Sequence, residues 1–258
     1  MKLPAFDIVG DIAIVEIPED VDEKKIARKI KKVHKRIKTV LKKASNRYGA
    51  FRLRKLKLIG GINKSVTIHK EFGYLYKLNV RKVYFSPREG TERSRIVDKI
   101  NKYGLYGLTL VFFAGIGPYA IMIGKKCNVK KVVGIEINPI AVKYFKENIK
   151  LNKLDNVEAI LGDVAKESKK FYGKASYVVM PLPESGYKYL PQTIHSLKKG
   201  GICFFYGISD ENDLFDKWVV KIKKVAKKLG RRIKILDKRK VLPYGVRKWK
   251  VRIEFKVF

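Results

Sequence analysis

The sequence predicts an α/β protein in which a mainly parallel sheet follows a smaller α+β part. From about residue 107, strand-like and helix-like segments alternate, a pattern typical of a parallel sheet with helices on both faces. Before residue 89, short strand-like runs accompany one amphipathic helical pattern. Apolar residues make up 46% of the 258 residues, which is enough for a packed core. We therefore expect a small domain over residues 1–88 and a larger one over residues 89–258.

The first part is predicted to begin with one or two strands over residues 6–17, followed by a helix over residues 22–43. The helix is predicted because apolar side chains recur at spacings of three and four, namely Ile26, Ile30, Val33, Ile37 and Leu41. Its lysine-rich opposite face is either an RNA-facing surface or a solvated one. Short strands are predicted at residues 51–59, 65–71, 73–79 and 81–85. A helix over residues 91–103, with Thr91 as its cap, would open the second part.

The second part is predicted to alternate strands with helices up to its end. The predicted strands are 108–113, 131–136, 157–161, 175–180, 200–207, 232–239 and 247–257. The predicted helices are 118–126, 138–150, 164–171, 184–197 and 212–229. The last two strands, joined through Pro243-Tyr244-Gly245, are expected to form an antiparallel pair at one edge. This is the layout of a Rossmann-like sheet.

Charge is the strongest signal in the composition. The 59 Lys and Arg residues against 24 Asp and Glu leave a net charge of +35, which indicates a polyanionic partner such as RNA or DNA. A lysine bias from an AT-rich genome is the alternative explanation. Cys127 and Cys203 show no spacing typical of a metal site and are expected to be buried thiols. No apolar stretch reaches the roughly 18 residues of a membrane span and no signal-peptide pattern is present, so we expect a cytoplasmic protein.

A candidate nucleoside site lies at the ends of the first three strands of the second part. The run Phe113-Ala114-Gly115-Ile116-Gly117-Pro118 follows a strand and opens a helix, and its glycines let the backbone approach a ligand closely. Glu136 ends the next strand, where an acid can bind both ribose hydroxyls, and Asp163 follows the third, within reach of the exocyclic amine of adenine. The turn lacks the third glycine of a dinucleotide site, so an adenosyl ligand without a pyrophosphate fits better. A plain tight turn and helix-capping acids are the structural alternatives.

Two other segments are candidates for the reactive end of the same cleft. Met180-Pro181-Leu182-Pro183-Glu184-Ser185 is a stiff turn at the carboxyl end of the fourth strand, where open α/β sheets bind ligands. The run from Val83 to Arg93 joins the two parts, and within it Glu92 could accept a proton while Arg93 could hold a carboxylate. A strand terminator and a surface loop with salt bridges are the alternatives.

These segments, in order along almost the whole chain, resemble the archaeal family of tRNA guanine-37 methyltransferases, which methylate nitrogen 1 of the base 3′ to the anticodon. The match is carried by the run FDIVGDIAIVEIPE, Gly49-Ala50-Phe51-Arg52-Leu53-Arg54, Tyr84-Phe85-Ser86-Pro87-Arg88 with Thr91-Glu92-Arg93, the glycine turn, Glu136-Ile137-Asn138-Pro139, Gly162-Asp163 and Leu182-Pro183. Family members usually carry an extra small N-terminal domain that this chain is expected to lack, so tighter dependence on the anticodon stem-loop, or on the basic surface, is expected. The resemblance implies a class I methyltransferase domain over residues 89–258, an RNA- and base-binding domain over residues 1–88, and S-adenosylmethionine as the cofactor.

The resemblance also implies roles for individual residues. Glu92 would take the proton from nitrogen 1 of guanine, and Arg52, with Arg54 close behind, would stabilise negative charge on the neighbouring carbonyl oxygen. Pro181 would belong to the same catalytic group. The implied cofactor-binding residues are Arg93, Phe113, Gly115, Gly117, Glu136, Ile137, Asp163 and Val164. The implied substrate-binding residues are Tyr84, Phe85, Arg88 and Pro183.

Two residues depart from the pattern of that family. Val111 stands where the family usually has Asp, and Pro181 stands where it usually has Asn, which offers a donor and an acceptor to a base edge. Proline at the second place resembles an archaeal subclass that methylates nitrogen 1 of guanosine 37 and later carbon 7 of the tricyclic base 4-demethylwyosine. Carbon 7 needs positioning more than deprotonation. We therefore expect both methylations, on tRNA-Phe, by a monomer without a metal ion.

Four alternatives stay open. They are guanine-37 methylation only, transfer of an aminocarboxypropyl group to carbon 7 of 4-demethylwyosine, an RNA-binding homologue without catalysis, and a methyltransferase for small molecules. Leu182-Pro183 argues against the second of these. The presence of Arg52, Glu92 and Glu136 argues against the third, and the net charge of +35 argues against the fourth.

Overall fold

The structure, a computed structural model, describes residues 3–18 and 21–258. The first part of the chain forms a four-stranded sheet in the order β1-β2-β3-β4. These strands are β1 (Phe6–Val9), β2 (Ile12–Val15), β3 (Thr39–Lys43) and β4 (Leu56–Gly61). Helix α1 (Glu23–Val33) covers one face of the sheet, and its buried residues Ile26, Ala27 and Ile30 belong to the same apolar cluster as β2 and β3.

The predicted helix over residues 22–43 is wrong in its second half. Helix α1 ends at Val33, and strand β3 begins only six residues later at Thr39. Strand β3 pairs with β2 on one side and with β4 on the other, so it is a central strand. Leu41 is buried within this strand and Ile37 is buried just before it, which accounts for their apolar side chains. Their helical spacing to Val33 therefore does not indicate a helix.

The strands predicted after Gly49 are only partly as expected, since the run over residues 51–59 becomes a strand only at Leu56, in β4. Strands β5 (Val66–Glu71) and β6 (Tyr74–Asn79) form the expected hairpin. The run predicted at residues 81–85 is not a strand, because the chain turns there before a 3₁₀ turn at Pro87–Glu89. Helix α2 (Gly90–Tyr103) follows directly, with Glu89 rather than Thr91 at the cap position. Proline favours such a helix start because it has no backbone N–H to satisfy.

The larger part contains a seven-stranded sheet in the order β12-β13-β11-β10-β7-β8-β9. Its strands are β7 (Leu108–Phe112), β8 (Lys131–Glu136), β9 (Val157–Leu161), β10 (Ala175–Met180), β11 (Leu197–Asp210), β12 (Ile233–Gly245) and β13 (Lys248–Val257). Strands β7 to β11 pair in parallel, whereas β12 and β13 form an antiparallel pair at one edge. The predicted α/β class with a Rossmann-like sheet is confirmed. The last hairpin turns after Gly245, since Pro243-Tyr244-Gly245 still belongs to β12.

The helices of this part lie between the strands as predicted, but two are shorter than predicted: the helix over residues 164–171 is α-helical only to Glu167 and continues as a 3₁₀ turn, and the helix over residues 184–197 also differs. The helices are α3 (Pro118–Lys126), α4 (Pro139–Leu151), α5 (Val164–Glu167), α6 (Leu190–Ser196) and α7 (Asp216–Lys228). The helix predicted over residues 184–197 is instead a 3₁₀ turn at Gly186–Tyr189 followed by α6. Pro191 lies in the first turn of α6, where its missing N–H is tolerated, and a longer helix would place it in the interior.

The order of the strands determines where a ligand can bind. The chain runs outward from β7 to β8 and β9, and then crosses back to β10 and β11 on the other side of β7. The carboxyl ends of β7 and β10 therefore flank the crevice in which open α/β sheets bind ligands. Residues 113–118, Glu136 and Pro181 lie at the carboxyl ends of β7, β8 and β10, so segments far apart in the sequence meet at one edge.

The hairpin β5–β6 is fixed to helix α4 by two asparagines. The Asn148 side chain accepts from the backbone N–H of Lys77 at 2.7 Å and donates to its carbonyl at 3.1 Å. Asn152 makes the same two bonds with Leu75, at 3.0 and 2.8 Å. Each amide pairs with the hairpin as a neighbouring strand would. The buried ring of Tyr76 also belongs to the core cluster of the large sheet, so the hairpin is continuous with that core.

We expect Gly117→Ala to lower the free energy of unfolding by about 2–4 kcal/mol. Gly117 has φ +87°, and a Cβ there would lie 2.1 Å from the fully buried ring of Phe145. Gly173→Ala is the matched control, because Gly173 has φ +71° but no heavy atom within 4 Å of the added Cβ. The control should lose about 1–2 kcal/mol through backbone strain alone. Urea unfolding measures both losses, and equal losses would exclude Phe145 as the cause.

Candidate active site

A cavity opens at the carboxyl ends of β7, β8 and β10. The large sheet contributes Phe113, Ala114, Gly115, Glu136, Ile137, Pro181 and Leu182 to its walls. The first part of the chain and the junction contribute Ala50, Phe51, Arg52, Tyr84, Phe85, Ser86, Glu89 and Arg93. Both parts of the chain therefore enclose one cleft, as the sequence predicted.

Glu136 is held at this cavity by backbone groups. Its Oε2 accepts from the N–H of Gly115 at 2.8 Å, and its Oε1 accepts from the N–H of Asn138 at 2.8 Å. Burial raises the pKa of Glu136, although these N–H groups oppose the rise. Each carboxylate oxygen can accept a second hydrogen bond, so two ribose hydroxyls can bind here. Ile137 follows with 46% of its surface exposed and offers an apolar contact beside them.

The glycine turn after β7 brings the backbone close to the junction between the two parts. Phe113 has φ +56° and Gly115 has φ +57°, so the chain bends sharply before α3. A Cβ at Gly115 would lie 3.8 Å from the carbonyl oxygen of Tyr84, which shows how closely the two segments pack. Gly117 is different, because it faces Phe145 and does not line the cavity. It shapes the turn, and its contact with the cofactor stays a prediction.

Asp163 and Val164 lie beyond the walls of this cavity, at the end of β9. Asp163 caps α5, since its Oδ1 accepts from the N–H of Ala165 at 2.8 Å. Val164 is buried beneath the sheet edge. Asp163 follows β9, which is the neighbour of β8 in the sheet. An adenine that packs on Ile137, at the end of β8, would therefore lie on the same side as Asp163. A contact with adenine stays a prediction for both residues.

Arg93 lines the cavity but is already engaged by a buried carboxylate. Its Nε donates to Oε1 of Glu71 at 2.8 Å, and its Nη2 donates to Oε2 at 2.5 Å. The same Nη2 donates to the carbonyl of Ser86 at 3.1 Å. The Arg93 side chain is 2% exposed, so this fork fixes the junction against the hairpin β5–β6.

The opposite end of the cavity is aromatic and basic. The guanidinium carbons of Arg47 and Arg52 lie 4.3 and 4.7 Å from the centre of the Tyr84 ring. Burial raises the pKa of Tyr84 to about 12, so its hydroxyl stays protonated at neutral pH. Arg52 also pairs with Glu184 at 2.7 Å, and Tyr244 donates to the same carboxylate. A planar base entering here would meet a ring and positive charge together.

The remaining predicted site residues differ in how close they are to the cavity. Pro181 lines it, whereas Pro183 is buried behind the turn. Arg54 lines a neighbouring cavity, which it shares with Arg52. Arg88 points to the surface and pairs with Asp7 at 2.5 Å.

The expectation that Glu92 forms a wall of the cleft is corrected by the structure. Glu92 is 2% exposed and is not among the residues that line the cavity. Its Oε1 accepts from the hydroxyl of Tyr206 at 2.8 Å and from Nη1 of Arg252 at 2.6 Å. Glu89, one helical turn earlier, is the junction carboxylate that does line the cavity. The role of Glu92 as proton acceptor stays a prediction.

Sequence reasoning missed two cations of β13, Lys250 and Arg252, and it missed Glu89 as the acid that lines the cavity. Lys250 lies 3.0 Å from Oε1 of Glu89, and Arg252 pairs with Glu92, so residues two apart on one strand bind residues three apart on one helix. These are the spacings of side chains on the same face of a strand and of a helix. Both acids could therefore have been assigned to one face, but their partners lie about 160 residues further along the chain.

Other features of the described residues can be stated briefly. Within residues 3–18 and 21–258, no three His, Cys, Asp or Glu side chains are arranged to hold a metal ion. None of the helices in that part of the chain combines the length and the apolar character needed to cross a bilayer. Cys127 and Cys203 are free and buried, as the sequence predicted.

An acid at the end of β8 beside a glycine turn, in a sheet of this order, is the arrangement of a Rossmann-like methyltransferase that uses S-adenosylmethionine. Residues 67–236 match the profile of the TRM5/TYW2 methyltransferase domain, and residues 3–64 match that of the TYW2 N-terminal domain. The chain belongs to the TRM5/TYW2 methyltransferase family. The resemblance noted in the sequence is thereby confirmed.

Three relatives illustrate the range of this family. The tRNA (guanine(37)-N(1))-methyltransferase Trm5b of Pyrococcus abyssi is 41% identical over 255 residues, which cover 98% of this chain and 74% of that protein. The tRNA (guanine(37)-N(1))/4-demethylwyosine(37)-methyltransferase Taw22 of Nanoarchaeum equitans is 33% identical, with 96% and 98% covered. The tRNA(Phe) (4-demethylwyosine(37)-C(7)) aminocarboxypropyltransferase of Methanocaldococcus jannaschii is 32% identical, with 97% of each chain covered.

Two solved structures bear on the ligands of the family. A complex of an archaeal Trm5 with tRNALeu is similar with a TM-score of 0.85 and 36% identity, over 98% of this chain and 71% of that one. TYW2 of M. jannaschii in complex with AdoMet is similar with a TM-score of 0.75 and 29% identity, over 98% and 99% of the two chains. The fold therefore occurs in relatives that bind tRNA and the expected cofactor.

We expect the affinity for S-adenosylmethionine to fall as the pH is lowered from about 7 to about 5. Burial raises the pKa of Glu136 above its ordinary value of 4.5, so in the empty site it takes up a proton at a higher pH than an exposed carboxyl does. The protonated form accepts fewer hydrogen bonds from the ribose. Calorimetry across this range measures the effect, and Glu136→Gln should bind more weakly with a flatter pH profile. An unchanged dissociation constant for the wild-type protein would contradict this assignment.

Proposed function

We propose that this protein transfers the methyl group of S-adenosylmethionine to the purine at position 37 of a tRNA. It acts on nitrogen 1 of guanosine and on carbon 7 of 4-demethylwyosine. The observation that carries the proposal is the single cavity that joins Glu136 and the glycine turn to Arg52, Tyr84 and Pro181. A methyl donor at the first end and an extruded base at the second would meet inside it. The names of the relatives support both reactions.

Methylation of nitrogen 1 requires loss of its proton and stabilisation of the charge that remains. Arg52 is placed to stabilise negative charge on the neighbouring carbonyl oxygen, once a substrate replaces Glu184 as its partner. Glu92 stays the proposed final acceptor of the proton. Its carboxylate lies behind Tyr206, whose ring centre is 6.4 Å from that of Tyr119 in the cavity wall. Tyr206 and Tyr119 therefore separate Glu92 from the cavity.

Methylation of carbon 7 requires mainly a pocket that admits and orients a larger ring system. Pro181 lines the base end of the cavity and has no amide donor with which to test the edge of a guanine. A wall of this kind accepts a tricyclic base as readily as a bicyclic one. Because Pro181 offers no hydrogen-bond donor that would select guanine, we propose both bases as substrates.

The RNA substrate follows from charge and from the shape of the site. A net charge of +35 favours a long polyanion, and the arginine-lined mouth suits a base that is turned out of a loop. We propose tRNA-Phe, bound through its anticodon stem-loop, as the substrate of a cytoplasmic monomer that needs no metal ion. Co-elution of the RNA with the protein in size-exclusion chromatography, at increasing salt concentrations, measures this binding.

Transfer of the aminocarboxypropyl group is the second candidate. The observation that favours it is the relative with this activity, which matches 97% of its own length to 97% of this chain. Both reactions use the same cofactor and the same tricyclic base, and they differ in which carbon of the sulfonium faces carbon 7. The mass of the modified nucleoside distinguishes the two products.

The central experiment incubates the protein with methyl-labelled cofactor and tRNA-Phe that carries either guanosine or 4-demethylwyosine at position 37. Nucleoside analysis should show methyl label in both. Label in guanosine alone would reduce the function to the first reaction. A heavier, unlabelled product of 4-demethylwyosine would establish the second candidate, and no product from either tRNA would refute the enzymatic function.

Pro181→Asn should shift the preference toward tRNA with guanosine at position 37. The amide adds a donor and an acceptor at the base edge, so the ratio of kcat/KM for guanosine over 4-demethylwyosine should rise about tenfold. The dissociation constant for S-adenosylmethionine serves as the control and should be unchanged, since Pro181 belongs to the base end. An unaltered ratio with active enzyme would show that this residue does not choose between the two bases.

A further inference from the structure

We propose that Glu89 binds the α-ammonium group of the methionine part of S-adenosylmethionine, an inference that rests on the proposed function. Glu89 is the last residue of the 3₁₀ turn before α2, is 9% exposed and lines the cavity. Glu89 and Glu136 are the acidic residues among the described ones that line it. Glu136 is placed for the ribose, which leaves Glu89 for the ammonium group at the other end of the ligand.

Glu89 belongs to a segment that packs directly on the glycine turn. The carbonyl oxygen of Tyr84 is 3.8 Å from the position of a Cβ on Gly115, and the Tyr84 hydroxyl is 3.4 Å from Oε1 of Glu89. The N–H of the same Gly115 donates to Glu136. Gly115, Glu136 and Glu89 also line the same cavity. A ligand whose ribose is held by Glu136 would extend its methionine part along the turn toward Glu89.

The carboxylate of Glu89 has a hydrogen-bond acceptor available for an ammonium group. Its Oε1 lies 3.0 Å from Nζ of Lys250 and receives the Tyr84 hydroxyl. Among residues 3–18 and 21–258, no group donates a hydrogen bond to its Oε2. An ammonium group carries three donors and no acceptor, so it complements an oxygen with free lone pairs. Charge-assisted bonds of this kind are the strong ones.

Glu89 remains negatively charged in the cavity. Burial by itself raises the pKa of this carboxyl, but Lys250, followed by Arg93 and Arg52, outweighs burial and holds the pKa below its ordinary value. Such a carboxylate is a poor proton acceptor, which argues against Glu89 as the base that deprotonates guanine. A lasting negative charge is what the recognition of an ammonium group requires.

The carboxylate of the methionine part would find its partner in the same segment. Arg93 uses Nε and Nη2 to hold Glu71, and its Nη1 donates to no group among the described residues. Strand β7 ends in Val111 and Phe112, which are fully buried and carry no charge. Both charges that match a zwitterionic amino acid therefore come from residues 89–93.

Binding of two ligands measured by calorimetry tests this assignment. The ligands are S-adenosylhomocysteine and its analogue in which hydrogen replaces the α-amino group. The wild-type protein should bind the first about 10- to 100-fold more tightly, since the analogue cannot make the charge-assisted bond. In Glu89→Gln this preference should fall to about threefold or less, because Gln keeps the size but not the charge. Affinity for the analogue should change by less than about threefold.

Two further variants keep the test independent of folding. Loss of the Glu89 charge leaves Lys250 buried without its partner, which destabilises by itself. The double variant Glu89→Gln/Lys250→Gln removes both charges and should show the same loss of preference. Glu147→Gln is the matched control, because Glu147 pairs with Lys77 on the exposed face of α4, and it should keep the wild-type preference. Thermal melting establishes that each variant is folded.

The outcomes separate this inference from the function on which it rests. If folded Glu89→Gln and the double variant keep the wild-type preference, Glu89 does not contact the ammonium group. Equal loss of affinity for both ligands would assign Glu89 a purely structural part beside Lys250 and would also overturn the inference. If the wild-type protein bound neither ligand, the proposed function itself would be refuted.

Discussion

The site depends on a set of buried ion pairs that fix the start of helix α2. The pairs are Glu89–Lys250, Glu92–Arg252 and Arg93–Glu71. They tie five consecutive residues to strand β13 on one side and to the hairpin β5–β6 on the other. Removing one partner of a buried pair costs about 3–5 kcal/mol, because the other charge is left without compensation. The junction segment with Tyr84 and Phe85 is therefore held as a wall of the cavity against the glycine turn.

The large sheet and its ligand-binding edge could be predicted because their signals are local. Strands β7, β8 and β10 are buried almost throughout and read as continuous apolar runs, and each is followed by a turn. The carboxyl ends of neighbouring parallel strands share one edge whatever the loops do. Glu136, the glycine turn and Pro181 could therefore be assigned to one crevice before the strand order was known.

The errors arose where distant partners decide the outcome. Residues 39–43 continue the helical spacing of α1, but pairing with β2 and β4 makes them a central strand. Similarly, Glu89 and Glu92 lie on one face of the junction, and no local pattern says which of them reaches the cavity. That choice is made by Lys250 and Arg252, which lie two residues apart on the same face of a strand at the far end of the chain.

The difference in burial between two ion pairs also determines which arginine is able to bind a substrate. Arg93 keeps Glu71, because both side chains are almost fully buried. Arg52 is held by Glu184, whose side chain is 42% exposed, so water screens this pair far more than it screens the pair of Arg93 with Glu71. A phosphate or a purine carbonyl can therefore replace Glu184 at little cost. RNA attracted by the net charge of +35 can rearrange the mouth of the cavity while the cofactor end keeps its geometry.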